Sequence, residues 1–105
     1  MTADRKLVVF VPPDALDAVR EALFAAGAGR IGDYERCSWH AEGTGTFRPL
    51  PGANPAVGEV GEEEHVREVR LETVFPSDRQ REVVEALRRA HPYEEPAFDV
   101  YALVT

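Results

Sequence analysis

Residues 6–29, KLVVFVPPDALDAVREALFAAGAG, carry two hydrophobic periods in succession. KLVVFVP is a β-rich apolar run of strand length, closed by two prolines. Beyond it the apolar residues spread out. Leu16, Val19, Leu23 and Ala26 recur at spacings of three and four, which puts them on one face of an α-helix. Asp14 and Asp17 stand at the end where the helix dipole favours negative charge, and Gly27 and Gly29 stop the helix. The stretch reads strand, then helix.

The same unit returns near the other end of the chain. In HVREVRLETVF (65–75), Val69, Leu71, Thr73 and Phe75 alternate with Glu68, Arg70 and Glu72, the period of a strand with one buried face. Pro76 and Ser77 open a second helix. Ser77 and Gln80 have capping-box spacing, and Val83, Val84, Leu87 and Ala90 form the buried stripe before Pro92. YERCSWHA (34–41) reads as a strand ahead of the long central loop, and AFDVYALV (97–104) as the last one. The order β-α-β-β-α-β predicts an α+β, ferredoxin-like fold over residues 1–105, with two helices on one face of a four-stranded antiparallel sheet.

Two helices cover one face only, yet LVVFV (7–11) and AFDVYALV place large apolar residues at both parities, Val8 and Phe10 as well as Leu7, Val9 and Val11. A second copy of the chain is the simplest cover for the other face, so a homo-oligomer is expected.

Composition narrows the function. A chain of 105 residues with 44% hydrophobic content holds about one core. Nineteen acidic against twelve basic residues, a net charge of −7, work against binding a phosphate backbone, so no nucleic-acid partner is expected. Cys37 is the single cysteine and has no internal disulfide partner. MTADRKLVVFVPPD contains no apolar run long enough for a signal peptide or a membrane span, so a cytoplasmic protein without membrane contact is expected.

The segment 42–64, EGTGTFRPLPGANPAVGEVGEEE, holds five of the eight glycines and three of the eight prolines. It is far longer than a hairpin requires, and TGTFRPL within it is strand-like, so an ordered extension is expected. EGTGTF lacks the Lys-Ser or Lys-Thr pair of a phosphate loop and the third glycine of a dinucleotide fingerprint; its glycines suit a bulge or a close strand approach. Asn54, ahead of Pro55, is held extended or in a turn, where a ligand contact is open to it.

Among His40, His65 and His91, the last has the densest donor neighbourhood. In HPYEEP the turn after a helix brings an imidazole near Glu94 and Glu95, within reach of a divalent ion. The competing reading is a structural corner, with His91 on the helix dipole and Pro92 as a stop. Cys37 and His40, three apart in a strand, face opposite ways and do not chelate together. No nucleophile stands beside a base, and there is no Gly-x-Ser-x-Gly or His-Glu-x-x-His.

KLVVFVP, EALFAAGAGRIGDYERCSW, EGTGTFRPLPGANPAVG, EVRLETVFP and AHPYEEPAFDVYAL follow one another in an order that resembles the PII/CutA-like domain inserted in dinuclear-metal-centre proteins of the NGG-one-interacting-factor-three-like family. The resemblance implies a ferredoxin-like fold related to PII and CutA, which form trimers, and small molecules or metals bound in subunit clefts near the long loop. It also implies that the metal centre of full-length members lies in flanking domains, which these 105 residues do not include. Three histidines, none adjacent to another, do not rebuild that centre.

The reading that follows is a trimeric ligand-binding or metal-responsive module. Gly45, Thr46, Phe47, Asn54, Tyr93 and Glu94 are the candidate ligand contacts, and His91 and Glu95 the candidate ligands for a divalent metal, zinc or copper. An interaction module with no ligand of its own is the alternative, and a metal-dependent hydrolase stands third.

Overall fold

The computed structural model describes residues 2–105. Strands β1 (Arg5–Val11), β2 (Ser38–Phe47), β3 (Glu64–Phe75) and β4 (Phe98–Ala102) form one antiparallel sheet in the order β2-β3-β1-β4. Helices α1 (Leu16–Ala25) and α2 (Gln80–Ala90) pack on one face, each entered through a single 3-10 turn, Pro13–Ala15 and Ser77–Arg79. The arrangement is the expected ferredoxin-like sandwich.

Its core is the alternate set of β1 and of β3, with Phe98 and Val100 of β4 packed against it. Leu7, Val9 and Val11 of β1 and Val69, Leu71 and Phe75 of β3 face Val19 and Leu23 of α1 and Val83 and Leu87 of α2. Side chains two residues apart on a strand share a face, so the antiparallel register that pairs Val9 with Leu71 and Phe98 stacks three apolar residues across the sheet. On α2 the stripe takes in Ala86, which the spacing argument omitted, and leaves Val84 only half-buried. Gly27 and Gly29, at φ of 112° and 91°, end α1 in left-handed conformations that glycine enters without penalty.

Two expectations shift. The strand expected from Tyr34 begins at Ser38, because Ile31 and Tyr34 exchange backbone hydrogen bonds of 2.9 Å around Gly32, and Arg36 takes a left-handed φ of 60°. Arg36 is held there by the Glu21 carboxylate and by the Phe24 ring, 4.9 Å from its guanidinium carbon. The capping box does not form either: no side-chain bond caps the turn into α2. Instead Asp4 Oδ1, brought alongside by the sheet, accepts the Ser77 N–H at 2.7 Å, so a tertiary carboxylate takes the bond that the Gln80 side chain would make in a capping box.

TGTF is not a separate strand but the second half of β2. Gly43 to Phe47 pair with Glu68 to Glu64, beyond the point where β1 stops pairing at Val69. Half of this long hairpin therefore projects from the sheet as a two-stranded arm, and the molecule measures 47 × 25 × 24 Å. Only residues 48–63 remain as loop.

On the face away from the helices, Val8 is buried and Phe10 half-buried beneath the Arg70 guanidinium. Lys6 and Arg70 both pair with Glu72, at 3.2 and 3.0 Å. Trp39 and Tyr101, 57% and 50% exposed, complete this face. Among the described residues no helix is long and apolar enough to cross a membrane.

Phe75 is fully buried where β1, β3 and the helices meet. Truncation to alanine is expected to lower unfolding free energy by about 3–5 kcal/mol in a urea titration followed by circular dichroism; a loss below about 1 kcal/mol would contradict this placement.

Candidate functional site: a cleft between the β2–β3 arm and the turn after α2

Pro92 forces the residue before it out of helical geometry, so His91 is extended, with φ −77° and ψ 133°, and α2 ends. Its imidazole turns inward. Nδ1 accepts the Tyr93 N–H at 3.1 Å and Nε2 lies 2.7 Å from the Phe10 carbonyl oxygen. Since Nδ1 accepts, the ring proton sits on Nε2, which donates to Phe10. The histidine is thus a neutral bolt between the corner and β1. Burial holds its pKa below the ordinary value of 6.5, against the opposing influence of the Phe10 carbonyl.

The bolt places Tyr93 against the arm. The His91 and Tyr93 ring centroids are 5.0 Å apart, and the Tyr93 and Phe47 centroids 6.4 Å at an interplanar angle of 52°. On the loop side, the Asn54 N–H points to Glu94 Oε1 at 3.4 Å. Between arm, loop and corner lies a cleft of about 320 Å³. Its walls are apolar, from Phe47, Pro49, Pro55 and Val57, and its polar groups include Thr46, Arg48, Glu68, Glu94 and Glu95.

Glu68 lies across Gly45. The space that a Cβ at position 45 would take is filled by the Glu68 carboxyl group, so glycine there is a condition for Glu68 to lie in this way. Burial raises the Glu68 pKa above the ordinary carboxylate value. The Tyr93 hydroxyl is raised too, by burial first and then by the charges of Glu68 and Asp14.

Thr46, Phe47, Tyr93, Glu94 and Glu95, four of them ligand candidates and the last a metal candidate, line this cleft. Gly45 lies beneath Glu68, and Asn54 contributes its backbone. His91 stands behind Tyr93 with both ring nitrogens engaged. Glu68 and the loop residues Pro49, Pro55 and Val57 are additions that sequence reasoning missed. The signal for Glu68 was the glycine pair: it is opposite Gly43 in register and diagonal to Gly45, where no side chain competes with it. Of the other donors, His65 pairs with Glu63 at 3.0 Å on the exposed arm. No three His, Cys, Asp or Glu side chains among the described residues are grouped to hold a metal ion.

Sheet and helices define a ferredoxin-like domain with the fold of CutA and PII proteins. CutA from Archaeoglobus fulgidus, described as a periplasmic divalent cation tolerance protein, superposes with a TM-score of 0.70 at 14% identity, over 96% of this chain and 84% of its own. Bacillus subtilis GlnK superposes with a TM-score of 0.61 at 15% identity, over 97% and 86% of the two chains. At such identities the likeness shows fold.

Relatedness in sequence leads elsewhere. A Bacillus cereus protein related to NIF3 is 48% identical with a TM-score of 0.84, covering 100% of this chain and 27% of its own. Mycobacterium tuberculosis and Bacillus subtilis proteins named "GTP cyclohydrolase 1 type 2 homolog" are 56% and 54% identical over 99 and 97 residues, or 94% and 92% of this chain. The chain spans about a quarter of these relatives, 26% of each. It is a PII/CutA-like domain of the kind found within NIF3-related proteins, as the motif order implied. No family model matches the chain.

Two outcomes test the geometry. The unfolded chain takes up a proton at His91 more readily than the folded one, so the stability His91 contributes is complete above pH 6.5 and is lost as pH falls toward its lower folded value. Urea titrations at about pH 7.5 and about pH 5.5 should show lower stability in acid, and a smaller difference in His91→Asn, which also loses about 1–3 kcal/mol at the higher pH. Gly45→Ala should push Glu68 out of the cleft. A carbon-13 titration of its carboxyl would then show the midpoint moving down toward the ordinary range, and an unmoved midpoint would refute the contact.

Proposed function

We propose that this domain is a ligand-binding regulatory module, a homotrimer in the cytoplasm, which takes a small molecule in the cleft between the β2–β3 arm and the HPYEEP corner. One observation carries the reading: segments some forty residues apart, joined through Asn54 and Glu94, enclose an apolar cavity with a few polar groups at its wall. A volume of about 320 Å³ suits a small organic molecule.

Self-assembly is supported by the exposed Trp39 and Tyr101 on the face that the helices leave open. In a trimer the arm would reach a neighbouring subunit and the cleft would lie near the junction. The lone cysteine, Cys37, suits a reducing compartment.

A divalent metal, zinc or copper, at His91 and Glu95 is the narrower form of the proposal. It requires His91 to give up either the Phe10 carbonyl or the Tyr93 N–H, because a metal needs a free ring nitrogen. An organic ligand needs no such rearrangement, which favours it. A docking module without a ligand is the second reading, favoured by Ile31 and Tyr34, which stand exposed on their own tight turn. The cyclohydrolase in the relatives' names concerns proteins about four times as long, and the third reading, a metal-dependent hydrolase, finds no three His, Cys, Asp or Glu side chains grouped for a metal among the described residues.

Light scattering on a size-exclusion column should give three times the chain mass, and Trp39→Asp should give the monomer; a wild-type monomer at micromolar concentration defeats the assembly. A thermal-shift screen of small metabolites and divalent ions should raise the melting temperature by mass action. No shift with any of them, together with a stable protein partner in a pull-down, would favour the docking reading.

A further inference from the structure

Resting on the reading of the cleft as a ligand site, we propose that its ligand is an organic cation, an amine or ammonium group carried on a small apolar body. Glu68 is the reason. The arginines beside it on β3 are committed elsewhere: Arg67 bonds Glu42, and Arg70 bonds Glu72 at 3.0 Å. Glu68 has no ion pair or hydrogen bond among the described residues, although its carboxyl group lies across Gly45 against the cleft. A half-buried carboxylate without a counter-charge is costly, and a cation brought by a ligand removes that cost.

The rest of the cleft has the same preference. Phe47 and Tyr93 form an aromatic corner, tilted by 52° with centroids 6.4 Å apart, and ring faces attract a cation that has shed water. Glu94 and Glu95 add two carboxylates to the wall, against a single basic residue, Arg48. An anionic ligand would meet three acidic groups; a neutral one would leave Glu68 unpaired. Pro49, Pro55 and Val57 offer apolar surface for the body of the molecule, and the volume of about 320 Å³ keeps that body small.

The test is a nitrogen-15 NMR titration of the full chain with benzylammonium, set against benzyl alcohol and benzoate, which keep the ring and change the charge. Benzylammonium should move the amides of Thr46, Phe47, Tyr93 and Ala97 and bind at least ten-fold more tightly than either control. Glu68→Gln, close to isosteric, should remove that ten-fold preference while leaving benzyl alcohol binding and the amides outside the cleft unchanged. Equal affinity for the three probes, or full retention of the preference in Glu68→Gln, overturns the cation assignment and leaves the cleft standing. If no probe moves the cleft amides, the ligand-site reading falls with it.

Discussion

Strand β3 is hydrogen-bonded along both edges for only part of its length, and that inequality shapes the molecule. From Val69 to Thr73 it lies between β1 and β2, and Val69, Leu71 and, just beyond, Phe75 enter the core. From Glu64 to Glu68 it has β2 alone. A two-stranded ribbon is only marginally stable by itself. Here one half is anchored in a packed sheet and the other is braced by Tyr93 against Phe47. The core half gives the arm its direction, and the free half gives the cleft its wall.

His91 holds the opposing wall in place from behind Tyr93. It spends a buried imidazole on two backbone groups that would otherwise lack these partners, the Phe10 carbonyl and the Tyr93 N–H. A buried polar side chain is tolerable when its hydrogen bonds are satisfied, and here both nitrogens are. HPYEEP divides its side chains between the corner and the cleft. His91 is a structural corner residue, while Tyr93, Glu94 and Glu95, two to four residues further on, face the cleft. The glycines of EGTGTF divide in the same manner: Gly43 meets open space, whereas Gly45 yields its place to Glu68.

Much of the fold was legible because its signals are local. The alternation Val69, Leu71, Thr73, Phe75 depends only on the two-residue repeat of a strand, and the stripe Val19 and Leu23 only on the helical repeat. What misled was local as well. Tyr34 and Glu35 read as strand, yet the chain turns at Gly32 and Arg36, held by Glu21 and Phe24 from a helix that sequence spacing cannot place beside it. Ser77 and Gln80 have capping spacing, but Asp4, placed alongside by the sheet, takes the Ser77 N–H. Thr46, Phe47, Tyr93 and Glu94 were visible as candidates; Glu68 was not, because an acidic residue at an outward strand position resembles any solvated one.

By itself the sequence determined the order of elements, the buried face of β3 and of the two helices, and two segments that line the cleft, because periodicity, proline and glycine act over a few residues. Tertiary structure alone decided that those two segments meet, that His91 turns inward and that Glu68 lies unpaired across Gly45. These depend on register between strands and on which groups the fold places within hydrogen-bond reach of each other. Such contacts are set by the packing of the whole chain, and no short stretch contains them.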